Sequence, residues 1–295
     1  MLPIAMLTGI LLHNYIGYVA FLSRYLIFIM LLITYCRVKA SDFHIGGYIY
    51  TLLCAQIGGA VCAYLLLSPF NEILAQGAFI CFFCPTATAA PVITGILGGS
   101  ISRVATFSLF SHVLVAILAP FLLSWMAGES TPASEISFSD SAFTIAITVL
   151  PLILGPLAIA FLLQRFSPKT RDAIANHQGL SFYIWAFALI IVVGNSVSFI
   201  LHEPSDMAPE IVMLAGISLI ACILQFFIGR KTGAHYGDTV SGSQSLGQKN
   251  TVLAIWLSLT YLDPIISVAP AAYVAWHNTF NAIQIYRHEK TLKSS

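Results

Sequence analysis

The sequence predicts an all-α integral membrane protein whose ten transmembrane helices form two inverted five-helix repeats. The first observation is composition: the 295 residues are 58% hydrophobic and only 8% charged, whereas soluble domains carry about 25% charged residues. The second is block length, because apolar blocks of about twenty residues suit helices and not the shorter, alternating strands of a barrel. The third is a pair of interrupted blocks at matching positions in the two halves of the chain.

Ten apolar blocks are predicted to span the membrane, at 3–18, 21–36, 46–67, 73–97, 102–127, 142–164, 180–200, 208–228, 236–262 and 264–286. The first is short and weakly apolar, so nine spans is the alternative count. The longest polar stretch, 128–140, is too short to form a soluble domain.

The charges between the blocks predict the orientation. Basic residues follow every even-numbered block: Arg37, Lys39, Arg103, Arg165, Lys169, Arg171, Arg230, Lys231, Arg287, Lys290 and Lys293. Acidic residues follow the odd-numbered blocks, with Arg24 the single base there: Glu72, Glu129, Glu135, Asp140, Glu203, Asp206, Glu210 and Asp263. The positive-inside rule then places both termini in the cytoplasm, and we expect a bacterial inner (cell) membrane.

The fourth and ninth blocks are predicted to be broken helices. The fourth contains Pro85 and Pro91, each of which lacks a backbone donor and clashes with the preceding turn. The ninth contains Gly242 and Gly247 within a polar run from 241 to 250. Non-helical backbone at membrane depth is tolerated only where it lines a cavity or is buried in protein. With five spans in each half, paired breaks indicate a transporter site at the bilayer midplane.

Lys249 is the one base among thirteen Lys and Arg that falls outside the loops. A charge at membrane depth is costly and indicates a functional site. Ser241, Ser245 and Lys249 recur every four residues, so we expect them to share one face of the first half-helix. Ser245, Gln56 and backbone carbonyls are the candidate acceptors for the ammonium.

Several short motifs, in their order and spacing, resemble the bile acid:sodium symporter family. Residues 84–91 correspond to the family's Cys-Pro-Gly-Gly-Thr-Ala-Ser-Asn, 247–250 to Gly-Met-Gln-Asn, and 276–278 to Trp-His-Asn. Asp42-Phe43 and the exit of the fifth block at 127–129 also fit. The chain is identified as a divergent homologue of the prokaryotic type.

The resemblance implies a panel domain and a core domain. Panel helices 1, 2, 6 and 7 would lie in 1–45 and 128–205, and core helices 3–5 and 8–10 in 46–127 and 206–295. The broken helices 4 and 9 would cross in the core. It further implies uptake of organic anions coupled to sodium, by alternating access.

The resemblance also assigns site residues. The substrate-binding residues that it implies are Thr88, Ala89, Asn250, His277 and Asn278. The equivalents of the family's cation sites are Gln56, Ala90, Pro91, Val104, Ser108, Ser245, Gln248 and Lys249. A helix cap remains the alternative role for Asn250, and a structural histidine the alternative for His277.

The sequence departs from the family at the residues that bind sodium. Sodium needs oxygen ligands, but the family's Ser-Asn pair is Ala90-Pro91 here and its glutamate is Ser245. A further glutamine ligand is Lys249, whose ammonium would repel a cation. We therefore hypothesise that Lys249 replaces a bound cation and keeps the crossing attractive to an organic anion.

Three functions remain open from the sequence. The first is sodium-independent anion transport, either proton-coupled through Lys249 or by uniport or exchange. The second is a conventional sodium-coupled symporter with altered ligands, and the third is a membrane solute sensor that does not transport. An enzyme is not expected, because no intramembrane protease motif occurs. The expected partners are a small organic anion, the lipid bilayer and either protons or sodium; no nucleic acid, cofactor or firmly predicted metal is expected.

Overall fold

The computed structural model describes residues 2–37, 46–130, 138–176, 178–202 and 207–294. Every regular element in these ranges is helical. The α-helices are α1 (Leu2–Leu11), α2 (His13–Ile16), α3 (Leu22–Arg37), α4 (Gly47–Leu67), α5 (Glu72–Phe83), α6 (Ala90–Ile96), α7 (Ile101–Ser130), α8 (Phe138–Phe166), α9 (Pro168–Asn176), α10 (Gln178–His202), α11 (Ala208–His235), α12 (Thr239–Gly247), α13 (Thr251–Tyr261) and α14 (Val268–Ser294). Two short 3-10 helices cover Gly17–Val19 and Pro264–Ser267. The sequence motif Asp42-Phe43 and the loop residues Lys39, Glu135, Glu203 and Asp206 lie outside the described residues.

Among the described residues, four helices are individually long and apolar enough to cross a membrane, namely Gly47–Leu67, Ile101–Met126, Phe138–Phe166 and Ala208–His235. A fifth span results if His13–Val19 and Leu22–Cys36, which are bent by 71°, are counted together. The prediction of an all-helical membrane protein is confirmed at this level. The full set of ten spans remains a prediction, in part because the breaks divide blocks four and nine into pieces too short to cross alone.

One compact unit comprises the described parts of Met1–Lys39, His112–Ile211 and Val252–Val268. Within it α1 packs along α10, and α3 packs against both α8 and α10. The approach of α1 to α10 is close: a Cβ added at Gly9 would lie 2.7 Å from the Ile190 carbonyl oxygen. Small residues at such contacts let helices in a membrane pack backbone to backbone.

The second compact unit comprises the described parts of Ala40–Ser111, Val212–Thr251 and Ala269–Ser295. Here α4 packs along α5, and α12 packs against α4 and α6.

Helix α12 also approaches α11 closely, since a Cβ at Gly242 would overlap the Gly229 carbonyl oxygen. Gly242 therefore lies inside α12 and serves helix packing; it does not interrupt the helix as the sequence suggested. Both predicted breaks lie in this unit. The predicted panel and core boundaries stay a prediction.

Candidate functional site

The two breaks pair with each other through their backbones. Thr86 and Lys249 form an isolated antiparallel β-bridge. The residue after Thr86 donates its N–H to the carbonyl before Lys249 at 3.1 Å, and the residue after Lys249 donates to the carbonyl before Thr86 at 2.8 Å. The backbone N–H and C=O groups of the two non-helical stretches thus form hydrogen bonds with each other, which buried peptide groups require away from water.

The first break separates α5 from α6. Cys84 takes φ −57° and ψ 145°, which ends α5, and Pro85 follows with no N–H to continue the helix. Helix α6 begins at Ala90, so Pro91 lies in its first turn. A proline is tolerated in that turn because its missing N–H would have no partner inside the helix. Of Pro85 and Pro91, only Pro85 lies in the interruption of the helix.

The second break separates α12 from α13. Helix α12 ends at Gly247, and Gln248 is extended, with φ −89° and ψ 120°. Lys249 therefore lies beyond the helix and does not continue the face of Ser241 and Ser245, which corrects the expectation from their spacing. The backbone pairing at the bridge replaces the last helical turn that the spacing assumed.

The ammonium of Lys249 binds the carboxyl end of α5. Its Nζ donates to the carbonyl oxygens of Phe82 at 2.8 Å and Cys84 at 3.0 Å. The side chain is buried, with 2% of its surface exposed. The last carbonyls of a helix have no partner inside it and carry partial negative charge. A cation at this place is therefore stabilised by the end of the helix and not by a carboxylate.

Two glutamines complete the set of donors around the end of α5. Gln56 donates from Nε2 to the Phe83 carbonyl at 2.7 Å and to the Cys84 carbonyl at 3.3 Å. Its Oε1 accepts the Ser111 hydroxyl at 2.8 Å, which determines the orientation of the amide. Gln225 donates to the Cys81 carbonyl at 3.1 Å. Side chains from three other parts of the second unit thus bind successive carbonyls of α5.

The carboxyl end of α12 is bound in a similar way. The Thr86 hydroxyl donates to the Ser245 carbonyl at 2.6 Å, and the Tyr273 hydroxyl donates to the Gly247 carbonyl at 2.9 Å. The Ser245 hydroxyl lies 3.1 Å from the Tyr48 hydroxyl. The expected contacts from Lys249 to the side chains of Ser245 and Gln56 are therefore not formed. Of the expected acceptors, only the backbone carbonyls bind the Lys249 ammonium.

Sequence reasoning missed Thr86 and Tyr273. The hydrogen bond of Thr86 connects the first break to α12, and that of Tyr273 connects α14 to α12. Sequence reasoning selected Thr88, which is half-buried in the turn before α6. Nothing in a single sequence separates these two threonines, because only the register of the bridge turns Thr86 toward α12. For Tyr273, the available signal was its position one helical turn before His277 on the same face.

The structure brings part of the predicted site together. Gln56, Ser245, Gln248, Lys249 and Asn250 are all buried around the bridge. The other cation-site equivalents are buried at the start of α6, for Ala90 and Pro91, and within α7, for Val104 and Ser108. Ala89 is exposed beside them.

His277 and Asn278 lie on α14. The buried ring of His277 meets the Tyr273 ring edge-on at 5.6 Å, so it is one side chain away from the end of α12. Asn278 donates from its amide to the Val274 carbonyl of its own helix at 2.7 Å. These contacts put His277 near the bridge, while the Asn278 amide is used within α14.

The ammonium of Lys249 forms no ion pair with any carboxylate in the described part of the chain. Its hydrogen-bond partners among the described residues are the carbonyl oxygens of Phe82 and Cys84. Two carbonyl oxygens at the end of α5 thus bind the amino group of Lys249.

Two distant relatives have sequences similar to this chain, and no family model matches it. It is 22% identical over 207 residues to the "Uncharacterized sodium-dependent transporter YocS" of Bacillus subtilis, covering 70% of this chain and 61% of that protein. It is 21% identical over 251 residues to the "Probable sodium/metabolite cotransporter BASS1, chloroplastic" of Oryza sativa subsp. japonica, covering 81% of this chain and 56% of that protein. The chain thus spans about three fifths of the length of these relatives.

These similarities place the chain among the relatives of membrane transporters. Both relatives are named as transporters and not as enzymes. Together with the apolar helices, this supports the predictions of an integral membrane protein and of a function in transport.

Proposed function

We propose that this protein is a secondary transporter of a small organic anion, of the bile acid:sodium symporter type, in which Lys249 takes the place of a bound cation. In this proposal ten helices form two inverted repeats, and helices 4 and 9 cross in a core domain beside a panel domain. The membrane is a bacterial inner membrane with both chain termini in the cytoplasm. Transport proceeds by alternating access, either coupled to protons or as uniport or exchange.

The observation that carries the proposal is the position of the Lys249 ammonium. It lies at the pairing of two interrupted helices, which is the arrangement that transporters with inverted repeats use at a midplane site. It occupies carbonyl oxygens of Phe82 and Cys84, which are the kind of ligand that a bound sodium ion would take. The retained positive charge supports recognition of an anion. The loss of side-chain oxygens at Ala90 and Pro91, and of the carboxylate at Ser245, supports independence from sodium.

The names of the relatives favour a second candidate, a sodium-coupled symporter with altered ligands. The decisive experiment is uptake into proteoliposomes with a sodium gradient, a pH gradient or a membrane potential imposed one at a time. A substrate is first selected by thermal shift from a panel of short carboxylates, keto acids, steroidal anions and vitamin precursors, since a ligand that binds the folded state stabilises it.

We expect the sodium gradient to change uptake less than twofold. A pH gradient that drives accumulation would identify proton coupling, and equilibration or counterflow without accumulation would identify uniport or exchange. Strong sodium dependence would refute the replacement of sodium by Lys249 and support the sodium-coupled symporter. Saturable binding without counterflow would refute transport and identify a solute sensor.

The Lys249→Gln variant tests the residue itself. We expect at least a tenfold loss of uptake or a new dependence on sodium, because the amide restores an oxygen ligand and removes the charge. Lys231→Gln is the matched control, since it makes the same change at an exposed lysine of α11. Equal, sodium-independent uptake in all three proteins would contradict the assigned role of Lys249.

A further inference from the structure

The first unit contains a cavity of about 360 Å³. Its walls come from the segment between α2 and α3, from the first turn of α3, from α10 and from α13. This volume falls within the range of about 300–1,000 Å³ that is usual for small-molecule sites. Its lining residues are separate from the paired breaks and from Lys249.

The lining of the cavity is uncharged, and its one side-chain amide is that of Asn195. The Ser23 and Thr260 hydroxyls each donate at 2.6 Å to a carbonyl of their own segment, so their donors are used. Asn195 also lines the cavity, is half-buried, and makes no side-chain hydrogen bond to another described residue. The remaining walls are aliphatic or aromatic and include Ile191 and Trp256.

The space in the cavity extends to Gly17. A Cβ built on Gly17 meets no atom within 4 Å, although the residue lines the cavity. Its backbone has φ −52° and ψ −35°, which any L-residue adopts. Gly17 is exposed, so it lies at the mouth of the cavity and accepts a larger side chain without backbone strain.

We propose that this cavity binds a small neutral amphipathic molecule, with a hydrocarbon portion against Trp256 and Ile191 and one amide or hydroxyl group on Asn195. An amide side chain both donates and accepts, so it can satisfy either group. An anion is disfavoured because a carboxylate would be buried with no opposite charge in the lining. The ligand class therefore differs from the organic anion proposed for the crossing, and the two sites share no lining residue.

The test uses the purified full-length protein in detergent and measures quenching of tryptophan fluorescence. The probes are 8-bromooctanamide, its carboxylate 8-bromooctanoate, and 1-bromooctane, because bromine quenches a neighbouring indole. The contribution of Trp256 is the difference between the unmodified protein and Trp256→Phe. We expect saturable quenching of Trp256 by the amide, with a half-saturating concentration at least tenfold lower than for the carboxylate.

Matched variants separate the cavity from the detergent shell. Gly17→Leu adds a bulky side chain at the mouth of the cavity and should weaken or abolish the saturable quenching. Gly58→Leu places the same side chain in open space on α4 and should retain it. Equal quenching in both variants, or equal affinity for the amide and the carboxylate, overturns the proposal.

A second variant keeps the test decisive if Gly17→Leu does not fold. Asn195→Leu removes the polar anchor and preserves the apolar walls. It should raise the half-saturating concentration of the amide at least tenfold and leave that of 1-bromooctane unchanged. An unchanged response to the amide would refute the role of Asn195 and the proposed ligand class.

Discussion

Lys249 and Gln56 share one acceptor, and this sharing predicts a measurable coupling between them. The carbonyl of Cys84 receives both Lys249 Nζ at 3.0 Å and Gln56 Nε2 at 3.3 Å. The Phe82 carbonyl depends on Lys249 alone and the Phe83 carbonyl on Gln56 alone. The single changes Lys249→Met and Gln56→Leu therefore each leave one carbonyl without its side-chain donor, and only the double change leaves Cys84 without both.

The magnitude follows from the cost of an unpaired buried acceptor, which is about 1–3 kcal/mol. The sign of Lys249→Met alone is not diagnostic, because removal of the ammonium also relieves its desolvation. The double-variant cycle cancels that contribution. We expect the double variant to be less stable than the sum of the single changes by about 1–3 kcal/mol, which corresponds to roughly 2–4 °C in Tm per kcal/mol.

The assay measures unfolding in detergent by denaturant titration and by thermal melting. It compares the unmodified protein, the two single variants and the double variant. The control cycle pairs Lys249→Met with Ser258→Ala, a buried serine that bonds only within α13, to the Ala254 carbonyl. That pair should be additive. A coupling within about 0.5 kcal/mol of zero for Lys249 and Gln56 would refute the shared acceptor at Cys84.

Three further changes test the pairing and the packing of the broken helices. Thr86→Val removes a hydroxyl that donates at 2.6 Å to a buried carbonyl of α12, and it should cost about 1–3 kcal/mol in unfolding free energy. Tyr273→Phe removes the donor at 2.9 Å to the last carbonyl of α12; we expect a similar loss, measured as a lower Tm. Gly242→Ala forces a Cβ into the Gly229 carbonyl oxygen and should lower Tm or abolish folding, whereas Gly58→Ala, which enters open space, should leave Tm unchanged or raise it. A tolerated Gly242→Ala would contradict the close packing of α11 on α12.

Sequence reasoning located both interruptions but misplaced details within them. It found the non-helical stretch between α5 and α6 because Pro85 has a covalent effect on its own neighbourhood. It treated Gly242 as part of a break, although that glycine lies in regular helix and is needed for contact with α11. A glycine has the same letter in both roles, and only the packing of α12 against α11 distinguishes them.

The partners of Lys249 illustrate the same limit. Its cost at membrane depth is a property of one ammonium group, so the sequence alone identified it as a functional candidate. The acceptors were expected to include Ser245 and Gln56, but the Ser245 hydroxyl lies against Tyr48 and the Gln56 amide binds α5 beside the ammonium. Competition between donors for the same carbonyls is decided by three-dimensional positions.

The sequence by itself determined that this is a helical membrane protein, that two of its helices are interrupted, and that one buried cation lies in the second interruption. These features depend on local quantities, namely hydropathy along a segment, the geometry of proline, and the cost of moving a charge out of water. Only the tertiary structure decided that Thr86 pairs with Lys249 and that the end of α5 receives the ammonium. Those outcomes depend on contacts between residues more than 150 positions apart, and no local preference specifies them.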